Sequence, residues 1–108
     1  MSESQKRALL SMLGICKKAG HAVCGTEQIC EALRKKDKRI YLTVAASDIS
    51  DNTKKKLSDK CAYYGAKIIF LELTAAELGT AVGKSGTTAA VGITDEGLCA
   101  AVENKANF

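Results

Sequence analysis

The chain contains no proline and no tryptophan, and three tyrosines and two phenylalanines supply all of its aromatic side chains. Without proline-rich, low-complexity or repeated segments, nothing divides residues 1–108, which read as a single domain long enough to bury a core without crosslinks. An aromatic share of 5% argues against a platform on which single-stranded RNA bases stack. If RNA is the partner, hydrogen bonds and shape should dominate over stacked bases. No apolar run approaches the ~18 residues of a membrane span. Residues 1–20 mix acidic and basic groups on an amphipathic pattern and do not resemble a secretory signal.

Chemistry-bearing residues are equally sparse. There is one histidine, His21, in a short predicted strand far from any exposed serine elbow, so no Ser-His-Asp or Cys-His set is assembled. Cys16, Cys24, Cys30, Cys61 and Cys99 are odd in number and include no Cys-x-x-Cys. Metal binding needs clustered ligands, and one histidine does not supply them. Reduced, mostly buried thiols in a cytoplasmic protein are the expectation. Asp48, Asp51, Asp95 and Glu96 fall where helices begin, which accounts for them as caps and macrodipole partners. Neither an enzyme, a metal nor a cofactor follows from these residues.

What is present is a modest positive balance, +4 with a pI near 8.8, carried largely by Arg34-Lys-Lys-Asp-Lys-Arg39 and Lys54-Lys-Lys56. Helical spacing of Leu9, Met12, Leu13 and Cys16 predicts a first helix from about Ser4 to Ala19, stopped by Gly20. A strand from His21 to Cys24 leads to Thr26, expected to N-cap a second helix that buries Ile29 and Leu33. Residues 40–46 form an apolar run of central-strand type. A third helix begins near Ser50, buries Leu57, Cys61 and Tyr64, and ends at Gly65. Residues 67–71 read as another interior strand. Thr74 and Glu77 form a capping box for a short helix that stops at Gly83. A last strand over residues 88–94 and a helix from about Asp95, with Leu98, Ala101 and Val102 inward, complete the chain. Alternating strands and helices predict α/β, a three-layer α/β/α sandwich.

The stretch LGTAVGKSGTT, Leu78 to Thr88, raises the question of a nucleotide-binding loop. That loop needs four residues between its glycines, a strand before it and a helix after it. Gly79 and Gly83 are separated by three, and the order here is helix, loop, strand. No nucleotide cofactor is therefore expected. The glycine loop instead pairs conceptually with the turn into the second helix, Gly25, Thr26, Glu27 and Gln28. A helix N-terminus attracts phosphate, Gln28 offers a donor and an acceptor to a base edge, and Lys84 supplies a point charge.

The order of these elements resembles the kink-turn RNA-binding superfamily of ribosomal proteins that contains ribosomal protein L-seven-Ae, and within it the YlxQ/YbxF-type bacterial members. The resemblance covers Leu9 to Val102 and rests on LLSMLGICKKAGHAVCGTEQ, SDISDNTKKKLSDKCAYYGAKI and LGTAVGKSGTTAAVGITDEG. It implies a mixed, four-stranded central sheet and a non-enzymatic RNA-binding protein, ribosomal or ribosome-associated. Its partners would be ribosomal RNA or another kink-turn RNA, with ribosomal proteins as further partners. The family motif Gly-x-[Asn/Lys]-[Glu/Gln]-x-x-Lys enters the widened groove at sheared G·A pairs, while the loop before the last strand packs on extruded nucleotides. By position, Gly25 matches the turn glycine, Thr26 the next residue and Gln28 the base reader. Lys84, Ser85, Gly86 and Thr87 fill the second loop. Glu27 stands where Asn or Lys is usual, and Glu31 where the motif has lysine. Lys17, Lys18 and Arg34 are candidate phosphate contacts that compensate, and Glu31 is expected to pair with Lys35. The alternative is a protein-interaction module on the same fold, in which the acidic exchanges trade kink-turn binding for a basic protein partner.

Overall fold

The apolar run after the first basic cluster does form the middle of a sheet. The computed structural model describes residues 1–106. In chain order they form α1 (Glu3–Lys18), β1 (Ala22–Cys24), α2 (Thr26–Lys35), β2 (Leu42–Ala46), α3 (Asp51–Tyr64), β3 (Ile68–Leu71), α4 (Ala75–Ala81), β4 (Ala90–Ile93) and α5 (Glu96–Lys105). The strand order is β1-β4-β2-β3. β4 is antiparallel to both neighbours, with Cys24 opposite Val91 and Val44 opposite Val91, and β2 runs parallel to β3. The sheet is therefore mixed, as expected.

Helices cover both faces. On one side Leu9, Leu13 and Cys16 of α1, Leu78 of α4 and Val102 of α5 pack against Leu42, Val44, Val91 and Ile93. On the other, Ile29 and Leu33 of α2 and Leu57 and Cys61 of α3 pack against Ala45 and Ala90. Every residue of β2 and β4 is buried, which explains why these strands are apolar without alternation. β3 is different. It lies at the sheet edge with Phe70 exposed, so the expectation of a second interior strand at 67–71 is corrected. β4 occupies the interior slot, and an apolar run alone does not distinguish an edge from a centre.

Capping follows the sequence closely. Ser50 accepts from the Thr53 N–H at 3.2 Å, Asp95 from the Leu98 N–H at 2.9 Å, and Thr74 and Glu77 complete their reciprocal box. Gly20, Gly65 and Gly83, each with positive φ, stand just beyond α1, α3 and α4. Asp48 does something else: its carboxylate accepts from the Ala75 N–H at 2.8 Å, tying the start of α4 to the turn after β2.

A close approach at Gly79 sets α4 against the loop that follows it. Gly79 is buried in α4, and a Cβ there would overlap the carbonyl oxygen of Gly86, so only glycine lets the following loop fold back on the helix. Cys16, Cys24, Cys61 and Cys99 are buried and Cys30 is half-buried, all as free thiols. Burial pushes each thiol up from its ordinary pKa, and with Glu103 nearby Cys99 rises to about 11. Gly79→Ala is accordingly expected to cost about 1–3 kcal/mol in urea denaturation through overpacking against the loop. Titration of the folded protein with an aromatic disulfide reagent should show only Cys30 reacting promptly, with the four buried thiols following on unfolding.

Candidate nucleic-acid interface

Strand register decides which loops meet. β1 ends and β4 begins at the same edge of the sheet, and the Gly25 N–H donates to the Ala90 carbonyl at 2.9 Å. The turn into α2 therefore stands beside the segment 84–89 that feeds β4, although the two are remote in sequence. At Gly25 the backbone takes φ 101 and ψ 151, a conformation essentially restricted to glycine, and a Cβ there would meet the Gln28 side chain at 2.5 Å.

This geometry corrects one expectation. Gly25, not Thr26, is the N-cap of α2; Thr26 is already helical, and no side chain caps the helix. The four other helices each have a side-chain cap, from Ser2, Ser50, Thr74 and Asp95. The unpaired N–H groups and positive dipole end of α2 thus face outward without an acceptor side chain, and Glu27 and Gln28 are exposed beside them.

The second lip is built from the α4–β4 loop. Its backbone is tied down by Gly83 N–H to the Thr80 carbonyl (3.2 Å), Lys84 N–H to the Gly79 carbonyl (2.8 Å) and Thr88 N–H to the Ala75 carbonyl (2.9 Å). Thr88 is buried, while Lys84, Ser85, Gly86 and Thr87 are exposed. Burial raises the Cys24 thiol, and the charges of Lys17 and Lys84 both act in the opposite direction on it. Helix, loop and strand follow one another here in the order opposite to a nucleotide-binding loop.

The two acidic departures are engaged within the protein. Glu27 accepts from Lys56 of α3 at 2.5 Å, a partner 29 positions away that no local spacing rule indicates. Glu31 pairs with Lys35 at 3.6 Å, as its spacing suggested, and more closely with Arg34 at 2.6 Å. Hydrogen bonding from Arg34 holds the Glu31 carboxyl below its usual range, and the same contact raises the guanidinium. Lys56 is raised by Glu27 in the same way. Of the candidate phosphate contacts, Lys17 is exposed in the last turn of α1 and Arg34 is held by Glu31. Lys18 lines a separate groove between α1 and α4, with Ile15 and Ala81.

Known proteins resemble this chain in sequence and fold. The chain is 31% identical over 98 residues to "RNA-binding protein YlxQ" of Enterococcus faecium, covering 91% of this chain and 90% of that one. It is 34% identical over 87 residues to the protein of the same name in Bacillus subtilis (strain 168), covering 81% and 83%. Among solved structures, a protein of unknown function from Bacillus halodurans superposes with a TM-score of 0.79 at 29% identity, covering 93% of this chain and 97% of that one. The Giardia lamblia 15.5kD RNA binding protein shares the fold with a TM-score of 0.73 at 19% identity, covering 99% of this chain and 88% of that one. The model of the Ribosomal protein L7Ae/L30e/S12e/Gadd45 family matches residues 7–103, nearly the whole of the sandwich, and the chain belongs to that family.

Proposed function

We propose that this protein is a non-enzymatic RNA-binding protein that grips a structured, kink-turn-like RNA between the N-terminus of α2 and the α4–β4 loop. Ribosomal RNA or an RNA–protein particle in the cytoplasm is the setting this reading favours, with ribosomal proteins as neighbours. One observation carries it: the Gly25–Ala90 hydrogen bond sets an uncapped helix N-terminus beside an exposed loop bearing Lys84. The names of the Enterococcus and Bacillus relatives support RNA as the partner.

Roles divide by chemistry. Free N–H groups of the α2 first turn, Lys84 and Lys17 attract phosphate and set register, whereas Gln28 is placed to read a base edge. Ser85, Gly86 and Thr87 present backbone and hydroxyl groups to a nucleotide turned out of its stack. Glu27 and Glu31 do not abolish this surface, because each carboxylate already has a cation on it. Exposed ion pairs hold little net stability, so RNA phosphate competes for Arg34 and Lys35 at small cost.

A gel shift on a kink-turn RNA, beside a copy whose sheared G·A pairs are replaced by Watson–Crick pairs, tests the reading. The unaltered chain should prefer the kinked RNA, with affinity falling steeply as salt rises. Gln28→Ala should narrow that preference by roughly 1–3 kcal/mol, whereas Lys84→Ala should weaken both RNAs alike and flatten the salt dependence by about one counterion. Equal affinity of the unaltered chain for both RNAs would sink the kink-turn assignment. Glu31→Gln removes the carboxylate that holds Arg34 and Lys35, and should tighten binding and steepen the salt slope by about one to two counterions.

A further inference from the structure

Two of the three tyrosines, Tyr63 and Tyr64, lie in a basic patch at the far end of α2, where the kink-turn reading assigns nothing. Tyr63, the most exposed of the large hydrophobic side chains at 81%, meets Tyr64 edge-on, with ring centroids 4.8 Å apart and an interplanar angle of 85°. The Lys36 ammonium lies 5.9 Å from the centre of the Tyr64 ring, and the Arg39 guanidinium 4.9 Å from that of Tyr41. Tyr64 is common to two shallow clefts, one lined also by Lys56 and Lys60, the other by Lys36, Lys38 and Arg39. Among the described residues, no carboxylate lies within 4.0 Å of the Lys36, Lys38, Arg39 or Lys60 side chain. The nearby Asp59 is taken by Lys55 at 3.1 Å, and Asp37 lines the neighbouring cleft with Glu27 and Glu31.

We infer that this tyrosine–lysine patch is a second RNA site, which takes an unpaired strand by stacking a base on Tyr63 and laying its phosphates over Lys36, Lys38, Arg39 and Lys60. Tyr63 leaves most of its ring to solvent, and every base has a π-face to offer it. An acidic peptide would satisfy the cations but has nothing to stack on the ring, so the combination favours nucleic acid. Lys36 adds a further sign. It is the one non-glycine residue at positive φ among those described, at a helix C-terminus where glycine or asparagine is usual. The position that would be most relaxed as glycine instead carries a cation over the aromatic pair. With α2 ten residues long, the patch stands about 15 Å from the rim at Gly25. An RNA held at the rim could thus extend a single-stranded flank along α2 to reach it.

The inference rests on RNA being the partner but not on the kink-turn rim. Because the chain lacks tryptophan and two of its three tyrosines lie here, the change in tyrosine emission that Tyr63→Ala removes reports on this patch. Adding an unstructured oligouridylate at low salt should quench that emission and raise the anisotropy of a labelled copy of the strand. Tyr63→Ala should weaken this binding about tenfold, and Tyr63→Phe should restore most of it. Lys36→Gly should leave the melting temperature unchanged or higher, since glycine relaxes the left-handed backbone, yet weaken the oligouridylate. Binding by Tyr63→Ala and Lys36→Gly as tight as that of the unaltered chain overturns the inference, as does polyglutamate competing as well as the RNA. Loss of kink-turn preference with oligouridylate binding intact sinks only the rim, and the reverse result sinks only the patch.

Discussion

The pairing of β1 with β4 is the constraint on which the rest of the candidate site depends. Both strands are short, three and four residues, yet their antiparallel register fixes where two otherwise unrelated segments leave the sheet. A slip of one residue would turn every β4 side chain to the opposite face, which the buried Val91 and Ile93 on one side and Ala90 on the other forbid. Core packing thus sets the positions of exposed groups that have no stabilising role of their own. Gly25 completes the link, because its backbone both extends the β1–β4 ladder and opens α2.

Much of this was legible from residue order. Helix starts at Ser50, Thr74 and Asp95 were readable because a cap and the N–H that donates to it lie three positions apart, so the signal is local. Three layers followed from strands apolar on both faces. The edge position of β3 was not readable, since apolarity reports cover on the faces of a strand and says nothing about its hydrogen-bonding neighbours. Nor was the cap of α2, where Thr26 looked the better candidate but the backbone needed glycine's φ of 101 one position earlier.

At the site, the positions matching the family motif could be named in advance, while their electrostatic state could not. Glu31 with Lys35 obeys helical spacing, but Glu27 with Lys56 joins two helices and exists only once α2 and α3 have packed. Composition also averages over the fold. A 5% aromatic share argues against base stacking over the chain as a whole, while the fold sets Tyr63 and Tyr64 side by side among lysines. Bulk scarcity is compatible with local abundance.

The sheet order also bears on the sequence of events during synthesis. β4 slots between β1 and β2, two strands made in the first half of the chain that do not touch each other without it. A nascent polypeptide that stops short of β4 therefore has four helices and the β2–β3 pair but no continuous sheet, and its loop-closure entropy is met only when almost the whole chain has emerged. The two lips come together last. On the function proposed above, a growing chain on the ribosome has no complete RNA-gripping surface until β4 is in place.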